Sequence, residues 1–360
     1  MARRNREPDP DEVAAYNEAV REQEEYEETV RRRKRNKRIV IGTLCTLLVL
    51  ALAAAGVTTW FVGRVSSNIE RIPGAFDIPD EQRPPAAGGD AVTFLLGGLD
   101  GPDEVDVYEP GAARTDTIML AHFPDGRDHG YLVSIPRDTY VEVPGHGENK
   151  INAAYSLGGP SLFVRTVEQL TDIRVDHLAL IDWNGFEQLT DELGGVTLTF
   201  DEPTVLADDT TLPPGRHTLD GEQALQYVRE RKDLPAGDFD RVKRQQNYLR
   251  GLMHELLSAG TFTDFGTMNG LTEAVGQAAR VDEDLGAFDM ARLGMSMRNL
   301  RAEDMTFLTV PTDGTGWAGE QSIVVYDAAR ADVLWQALKA DDMDSYLADN
   351  PDLVTGQQVN

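Results

Sequence analysis

The chain has 360 residues, room for one large domain or two small ones, and a formal net charge of -27, essentially all of it after residue 38. So acidic a surface repels a nucleic-acid backbone and argues against nucleic acid as a partner. The single cysteine, Cys45, excludes an intrachain disulfide and a cysteine-based metal site, and none of the six histidines stands in a metal-binding spacing such as HExxH.

Residues 1–30 are polar and acidic, readable as helix or as a disordered tail. The basic run 31–38 leads directly into Ile39–Val62, a stretch without a charge, roughly 36 Å long as a helix and enough to cross a bilayer. Trp60 and Phe61 stand at its far end, where interfacial aromatics are favoured, and the positive flank holds the N-terminus in the cytoplasm. The small residues of 51–56 also admit a cleavable signal peptide, but the apolar run continues past them, which favours an uncleaved anchor. The pattern predicts a cytoplasmic tail over 1–38, a transmembrane helix over 39–62, an extracytoplasmic Pro/Gly linker over 63–90, a folded domain over 91–340 and a loose tail over 341–360. After the apolar segment lysine is limited to Lys150, Lys232, Lys243 and Lys339. A Lys-poor, acidic surface points either to a high-salt habitat, where screening removes self-repulsion, or to lineage-wide composition.

The domain opens with Val92–Leu96, a buried strand ending at Gly97-Gly98, with Asp100 beyond it. Thr117–Phe123 and Tyr131–Ile135 read as the next strands. If the first two are antiparallel, Asp100 and Asp116 meet at one sheet edge. Helical stretches follow up to Gly158-Gly159 and over Ser161–Leu170, then a strand over Asp176–Ile181 and a helix over Phe186–Leu193. Val196–Phe200 alternates as a strand, Gly215–Leu219 reads as a turn, and Glu222–Val228 as a helix capped by Asp220. The pattern is helical from Phe239 to about Ser258, and again over 265–280 and 284–300. Met305–Val310 and Ile323–Val325 are late strands, and Ala328–Ala340 a closing helix. Strands interleaved with helices predict an α/β fold, a three-layer α/β/α sandwich with a mixed central sheet.

The chemistry concentrates in Gln226–Arg250, which carries Arg229, Arg231, Arg241 and Arg244 in an otherwise acidic domain. Arg241, Arg244 and Gln245 stand at i, i+3 and i+4 and share a helix face, while Arg229 and Arg231 return from across a loop. Converging guanidiniums repel one another unless an anion sits between them, and their planar forks match phosphate geometry. The stretch therefore reads as a phosphate or pyrophosphate clamp, or more plainly as a solvated basic helix paired with Asp233, Asp238 and Asp240. Asp100 and Asp116 are hard oxygen donors suited to Mg²⁺ beside such a clamp, or simply solvated aspartates. Pro136 fixes the chain as its strand ends, placing Arg137 to contact phosphates and Asp138 to orient it, or the two to form a structural salt bridge. Asn152 starts a helix near the same edge and serves the site or caps the helix. Among the histidines, His177 lies in a strand and the rest read mostly as loop or surface. Gly97-Gly98-Leu99-Asp100 lacks a P-loop ending, and Ser134 and Ser156 lack a nucleophile elbow, so covalent acyl transfer has no support. Apolar positions 155, 157, 162, 163, 167, 186, 189, 248, 249, 252 and 253 are either ordinary core or the lining of a lipid tunnel.

As a set, FLLGGLD (94–100), RTDTIML (114–120), SIPRDTYVEVPG (134–145), KINAAYSLGG (150–159), DHLALIDWNGFEQLTDELGGV (176–196), LDGEQALQYVRER (219–231) and GDFDRVKRQQ (237–246) resemble the LytR-CpsA-Psr family of cell-wall glycopolymer ligases. The resemblance covers most of 91–250 and extends to the single N-terminal anchor. It implies an Mg²⁺-dependent phosphotransferase outside the cell membrane. Such an enzyme moves a glycopolymer from a polyprenyl pyrophosphate carrier to a muramic acid hydroxyl of peptidoglycan, leaving a phosphodiester link. It places Asp100 and Asp116 with the metal. Arg114, Arg137, Arg229, Arg231, Arg241 and Arg244 fall around the pyrophosphate, and Asp138, Asn152, Asp238 and Gln245 at other polar positions. Catalysis is expected from Asp116, Arg137, Asp138 and Arg241, with Asp116 or Asp138 helping to deprotonate the acceptor. The alternatives are a non-catalytic polyprenyl-phosphate-binding envelope module or a polyprenyl pyrophosphatase; a transcriptional regulator fits poorly, since no recognition helix is visible. The acidic insertion Gly101–Gly111 bears on which polymer fits.

Overall fold

A computed structural model of the protein describes residues 69–86, 88–101, 108, 110–231, 234–256, 276 and 278–355. The tail 1–38, the expected membrane segment 39–62, the linker start 63–68, most of the acidic insertion and most of the helical stretch expected over 265–280 lie outside them. Among the described residues, no helix is long and apolar enough to cross a membrane.

The strands are β1 (Glu70–Ile72), β2 (Val92–Asp100), β3 (Arg114–Phe123), β4 (Gly130–Ser134), β5 (Tyr140–Val143), β6 (Gly147–Lys150), β7 (His177–Ile181), β8 (Val196–Phe200), β9 (Thr204–Val205), β10 (Thr211–Leu212), β11 (Gly215–Leu219), β12 (Ala279–Asp282), β13 (Met305–Thr309), β14 (Thr312–Ala318) and β15 (Gln321–Tyr326). The helices are α1 (Ala153–Thr171), α2 (Trp183–Glu192), α3 (Gly221–Arg229), α4 (Asp238–Leu256), α5 (Ala287–Ser296), α6 (Ala328–Lys339) and α7 (Met343–Asp349). Seven strands form one mixed sheet in the order β1-β12-β7-β2-β3-β4-β13, with β2 antiparallel to β3 and parallel to β7. The remaining strands pair into hairpins around it.

Both faces of the sheet are covered because its central strands alternate between two apolar sets, the period-2 signature of a pleated strand. Leu95, Leu99, Ile118, Leu120, Val133 and Leu178 join one core with Tyr155, Phe163 and Val167 of α1 and Trp335 of α6. Met119, Ala121, Leu132 and Phe307 face the other side, where Leu249 and Met253 of α4 pack. A third core joins α2, α3, α4 and the β8–β11 hairpin. The α1 helix kinks where Gly159 takes a left-handed φ of 66° ahead of Pro160, a conformation glycine reaches without penalty.

Several expectations are corrected here. The linker 63–90 is in part folded: β1 pairs with β12, and Ile72 is fully buried, because Ile69 and Ile72 supply an apolar edge that a Pro/Gly reading hides. Residues 341–355 are no loose tail, since Met343 and Tyr346 at i and i+3 bury one face of a short acidic helix. Gly215–Leu219 is a strand rather than a turn, paired along its length with β8. Residues 279–280, expected as the end of a helix over 265–280, instead open β12. His122 is not at the surface but buried within β3, bonded to Thr93 Oγ1 at 2.9 Å. The proposed tunnel residues do not line one channel. Tyr155, Phe163 and Val167 pack on one face of the sheet, and Leu189, Tyr248 and Leu252 in the third core.

Candidate functional site

Asp116 owes its position to a β-bulge. Gly98 pairs with Thr117 and Leu99 with Thr115, so Asp116 is the extra residue on β3. A bulge re-aims a side chain that regular pairing would commit to a face. Here the carboxylate reaches Arg137, whose Nη1 donates to Asp116 Oδ2 at 2.5 Å. Arg137 follows β4 in a tight turn closed by Thr139 N–H donating to Pro136 O at 3.0 Å. Asn152 supports the turn through its backbone, N to Arg137 O at 3.2 Å; its side chain makes no cap. Asp138 is engaged by Lys150 Nζ at 2.9 Å and lies 4.0 Å from Arg137 Nε.

The opposite wall comes from two helices. Asp220 caps α3 by accepting from Gln223 N at 2.9 Å, and the helix ends at Arg229, so Glu230 and Arg231 follow at its mouth. The α4 helix is pinned by Gln246, fully buried, whose Nε2 donates to Ser134 Oγ and Leu308 O at 2.7 Å. That pin joins α4 to the ends of β4 and β13 and presents Arg241 and Gln245 beside Arg137. Arg229 stacks over the Trp183 ring at 5.0 Å, and Trp183 Nε1 donates to Asp100 Oδ1 at 2.9 Å, a relay that ties the far guanidinium to the end of β2.

These side chains border a cavity of about 460 Å³ lined by Asp116, Arg137, Trp183, Arg229, Arg231 and Arg241, with Glu230 and Gln245 among the rest. Four guanidiniums face it against two carboxylates, Asp116 and Glu230, on a protein of net charge -27. Burial works against the Arg137 charge, but the charge and hydrogen bond of Asp116, then Asp238 and Asp138, more than compensate and hold its pKa above the ordinary value. Arg241 is 6% exposed; burial lowers its pKa despite its ion pair with Asp238. Burial in turn raises the pKa of Asp238 against the pull of Arg241 and Arg137. The Nε groups of Arg137 and Arg241 are buried without a hydrogen-bond partner, and Asp238 meets Arg241 as a close ion pair rather than through an aligned hydrogen bond. Each such donor costs about 1–3 kcal/mol, which an oxyanion in the cavity would offset.

Two arginines expected at the anion lie elsewhere. Arg244 turns away from Arg241, donating through Nη1 to Val205 O at 2.7 Å and lying over Tyr227, and it borders a separate cavity of about 840 Å³. Arg114 is exposed at the sheet edge, opposite Asp100, and is absent from the lining of the 460 Å³ cavity. Trp183, Lys150 and Glu230 join the site without having been singled out. Lys150, a rare lysine two residues before Asn152, carried the clearest signal.

Asp100 and Asp116 suit Mg²⁺ by chemistry. They are hard oxygen donors on adjacent antiparallel strands, each with one oxygen held by a protein donor. Mg²⁺ needs only one or two protein carboxylates beside substrate phosphates and water. Among the described residues no group of three or more His, Cys, Asp or Glu could hold a metal alone.

The family model LytR_cpsA_psr matches residues 67–340. The chain is 35% identical over 256 residues to the cell wall biosynthesis protein LcpA of Corynebacterium glutamicum, covering 62% of this chain and 48% of that protein's length. It is 34% identical over 311 residues to the probable cell wall biosynthesis protein LcpB of the same organism, covering 83% and 71%. Among solved structures, TagT bound to LI-WTA superposes with a TM-score of 0.57 at 28% identity, covering 71% of this chain and 91% of that one.

Proposed function

The chain belongs to the LytR-CpsA-Psr family, and from that premise we propose that it transfers a glycopolymer from a polyprenyl pyrophosphate carrier to peptidoglycan. The observation that carries this reading is the cavity in which Arg137, Arg229, Arg231 and Arg241 converge, with the Nε groups of Arg137 and Arg241 buried and unpartnered. Its size and charge suit a diphosphate. A relative solved with LI-WTA, a wall teichoic acid species, supports a glycopolymer donor.

In the reaction a peptidoglycan hydroxyl oxygen attacks the phosphorus that bears the polymer. The P–O bond to the bridging oxygen breaks, polyprenyl phosphate leaves with the electron pair, and a phosphodiester remains. Arg137 and Arg241 hold the equatorial oxygens where negative charge grows, and Arg229 and Arg231 hold the departing phosphate. The acceptor proton goes to a nearby carboxylate. Each of the three candidates is paired to a cation, Asp116 to Arg137, Asp138 to Lys150 and Asp238 to Arg241, but only Asp116 among them lines the cavity. That position makes Asp116 the base within reach of an acceptor in the cavity. Mg²⁺ held by Asp100 and Asp116 would supply charge neutralisation at the diphosphate oxygens. A lipid tail would find partly buried apolar side chains beside the sheet, Phe94, Leu96 and Ala179 with Met253, Met290 and Met297.

The test is transfer from a polyprenyl-pyrophosphate oligosaccharide to soluble peptidoglycan, read as phosphodiester product. Wild type with Mg²⁺ should form product, and Arg137→Ala should not. Donor hydrolysis without transfer would favour a pyrophosphatase. Donor binding with neither product would favour a non-catalytic carrier.

A further inference from the structure

The α5 helix carries apolar side chains on two faces. Met290, Leu293 and Met297 point inward and are partly buried, Met290 and Leu293 against Ile69, Val281 and Leu285. Phe288 and Met295 point outward, 73% and 65% exposed, at i and i+7 with Arg292 at i+4, so the three share one face. An exposed Phe and Met together on one helix demand a partner more than scattered singles do.

Where the chain enters the domain identifies the partner. Ile69 is 8% exposed and packs under α5. Arg71 fastens the same segment to the turn before the helix, donating through Nη1 to Leu285 O at 2.6 Å and Asp282 O at 3.2 Å. Only six residues, seven Cα–Cα steps, separate Ile69 from Val62, where the apolar segment ends. They reach at most about 25 Å extended and about 10 Å as a helix. With 39–62 read as an anchor, that is the whole length of chain between the apolar segment and the residue packed under α5. Charge agrees at its C-terminal half. From Met290 to Ala302 the chain holds Arg292, Arg298 and Arg301 and no carboxylate, a local basic stretch between Glu283, Asp284 and Asp289 on one side and Glu303 and Asp304 on the other. Arg292 makes only a long 3.8 Å approach to Asp90, and both are exposed.

We infer that the outer face of α5, formed by Phe288, Arg292 and Met295 with Arg298 just past its end, docks on the anionic lipid surface beside the membrane anchor. It is an interfacial helix, with apolar side chains among the acyl chains and arginines at the phosphates. The inference rests on reading 39–62 as an anchor, not on the transferase chemistry. Docking there would set the apolar layer beneath α5 against the bilayer, where a lipid-linked donor could pass without crossing water.

The test uses the full chain with Cys45→Ser, reconstituted in vesicles of phosphatidylcholine and 30% phosphatidylglycerol. An environment-sensitive fluorophore is attached at Phe288→Cys, Met295→Cys or, on the opposite side of the sheet, Val333→Cys. Doxyl-labelled lipid should quench the first two several-fold more than the third, and quenching should weaken in vesicles of phosphatidylcholine alone. Equal quenching at all three sites overturns docking, as does a label at 288 that is shielded in a protein-concentration-dependent way without lipid quenching, which would indicate a second copy. Failure of the protein to float with vesicles overturns the anchor reading and docking together. Unchanged melting temperatures confirm that the variants fold.

Discussion

Arg137 is the residue on which the site turns, because alone among the described residues it approaches three carboxylates, Asp116, Asp138 and Asp238. Arg137→Lys keeps the charge but loses the planar fork, so transfer should fall by about 10²-fold or more with little change in melting temperature. Arg241→Ala should behave differently. It leaves Asp238 buried and uncompensated, costing about 3–5 kcal/mol in denaturant unfolding, and adding Asp238→Asn should recover much of that loss. Sequence spacing located Arg241 and Gln245 but misplaced Arg244. Positions i, i+3 and i+4 span about 100° of a helix, wide enough for Arg241 and Gln245 to meet one cavity while Arg244 meets another. Asp116 was legible as a residue and not as a geometry, because nothing in RTDTIML announces a bulge.

At the level of elements, β1 and β3 give the sharpest expectations. Ile72→Ala should destabilise the domain by about 2–5 kcal/mol if β1 is part of the fold, and by almost nothing if residues 63–90 were a linker; chemical denaturation decides. In β3, burial pushes the His122 pKa from 6.5 down to about 4, with Asp341 opposing. The folded state thus binds fewer protons than the unfolded one. The stability His122 contributes is intact above pH 6.5 and drains as pH falls toward 4, by up to about 3 kcal/mol. In His122→Gln, unfolding midpoints between pH 6.5 and 4 should flatten against pH. The long alternating strands and capped helices were readable because pattern and caps agree. The short ones were not. ARVD of β12 and GRHTL of β11 are four and five residues whose pairing partners, rather than their own composition, make them strands.

For the whole molecule, a strongly acidic body keeps one small basic mouth, and most of its affinity for an anion should be electrostatic. The motif set made that mouth visible because its residues sit at strand ends and helix ends, whose sequence neighbourhoods are distinctive. The separate cavity at Arg244 and the folded C-terminal residues were hidden in generic acidic sequence. The most direct measurement is calorimetric titration of the full-length protein in detergent with geranyl pyrophosphate and Mg²⁺, comparing wild type with Arg229→Ala/Arg231→Ala. Saturable one-to-one binding that weakens about 10- to 150-fold in the double variant, at unchanged melting temperature, is the predicted result. Equal affinity in the two proteins, or no preference for the pyrophosphate over geraniol, would contradict a diphosphate held by these arginines.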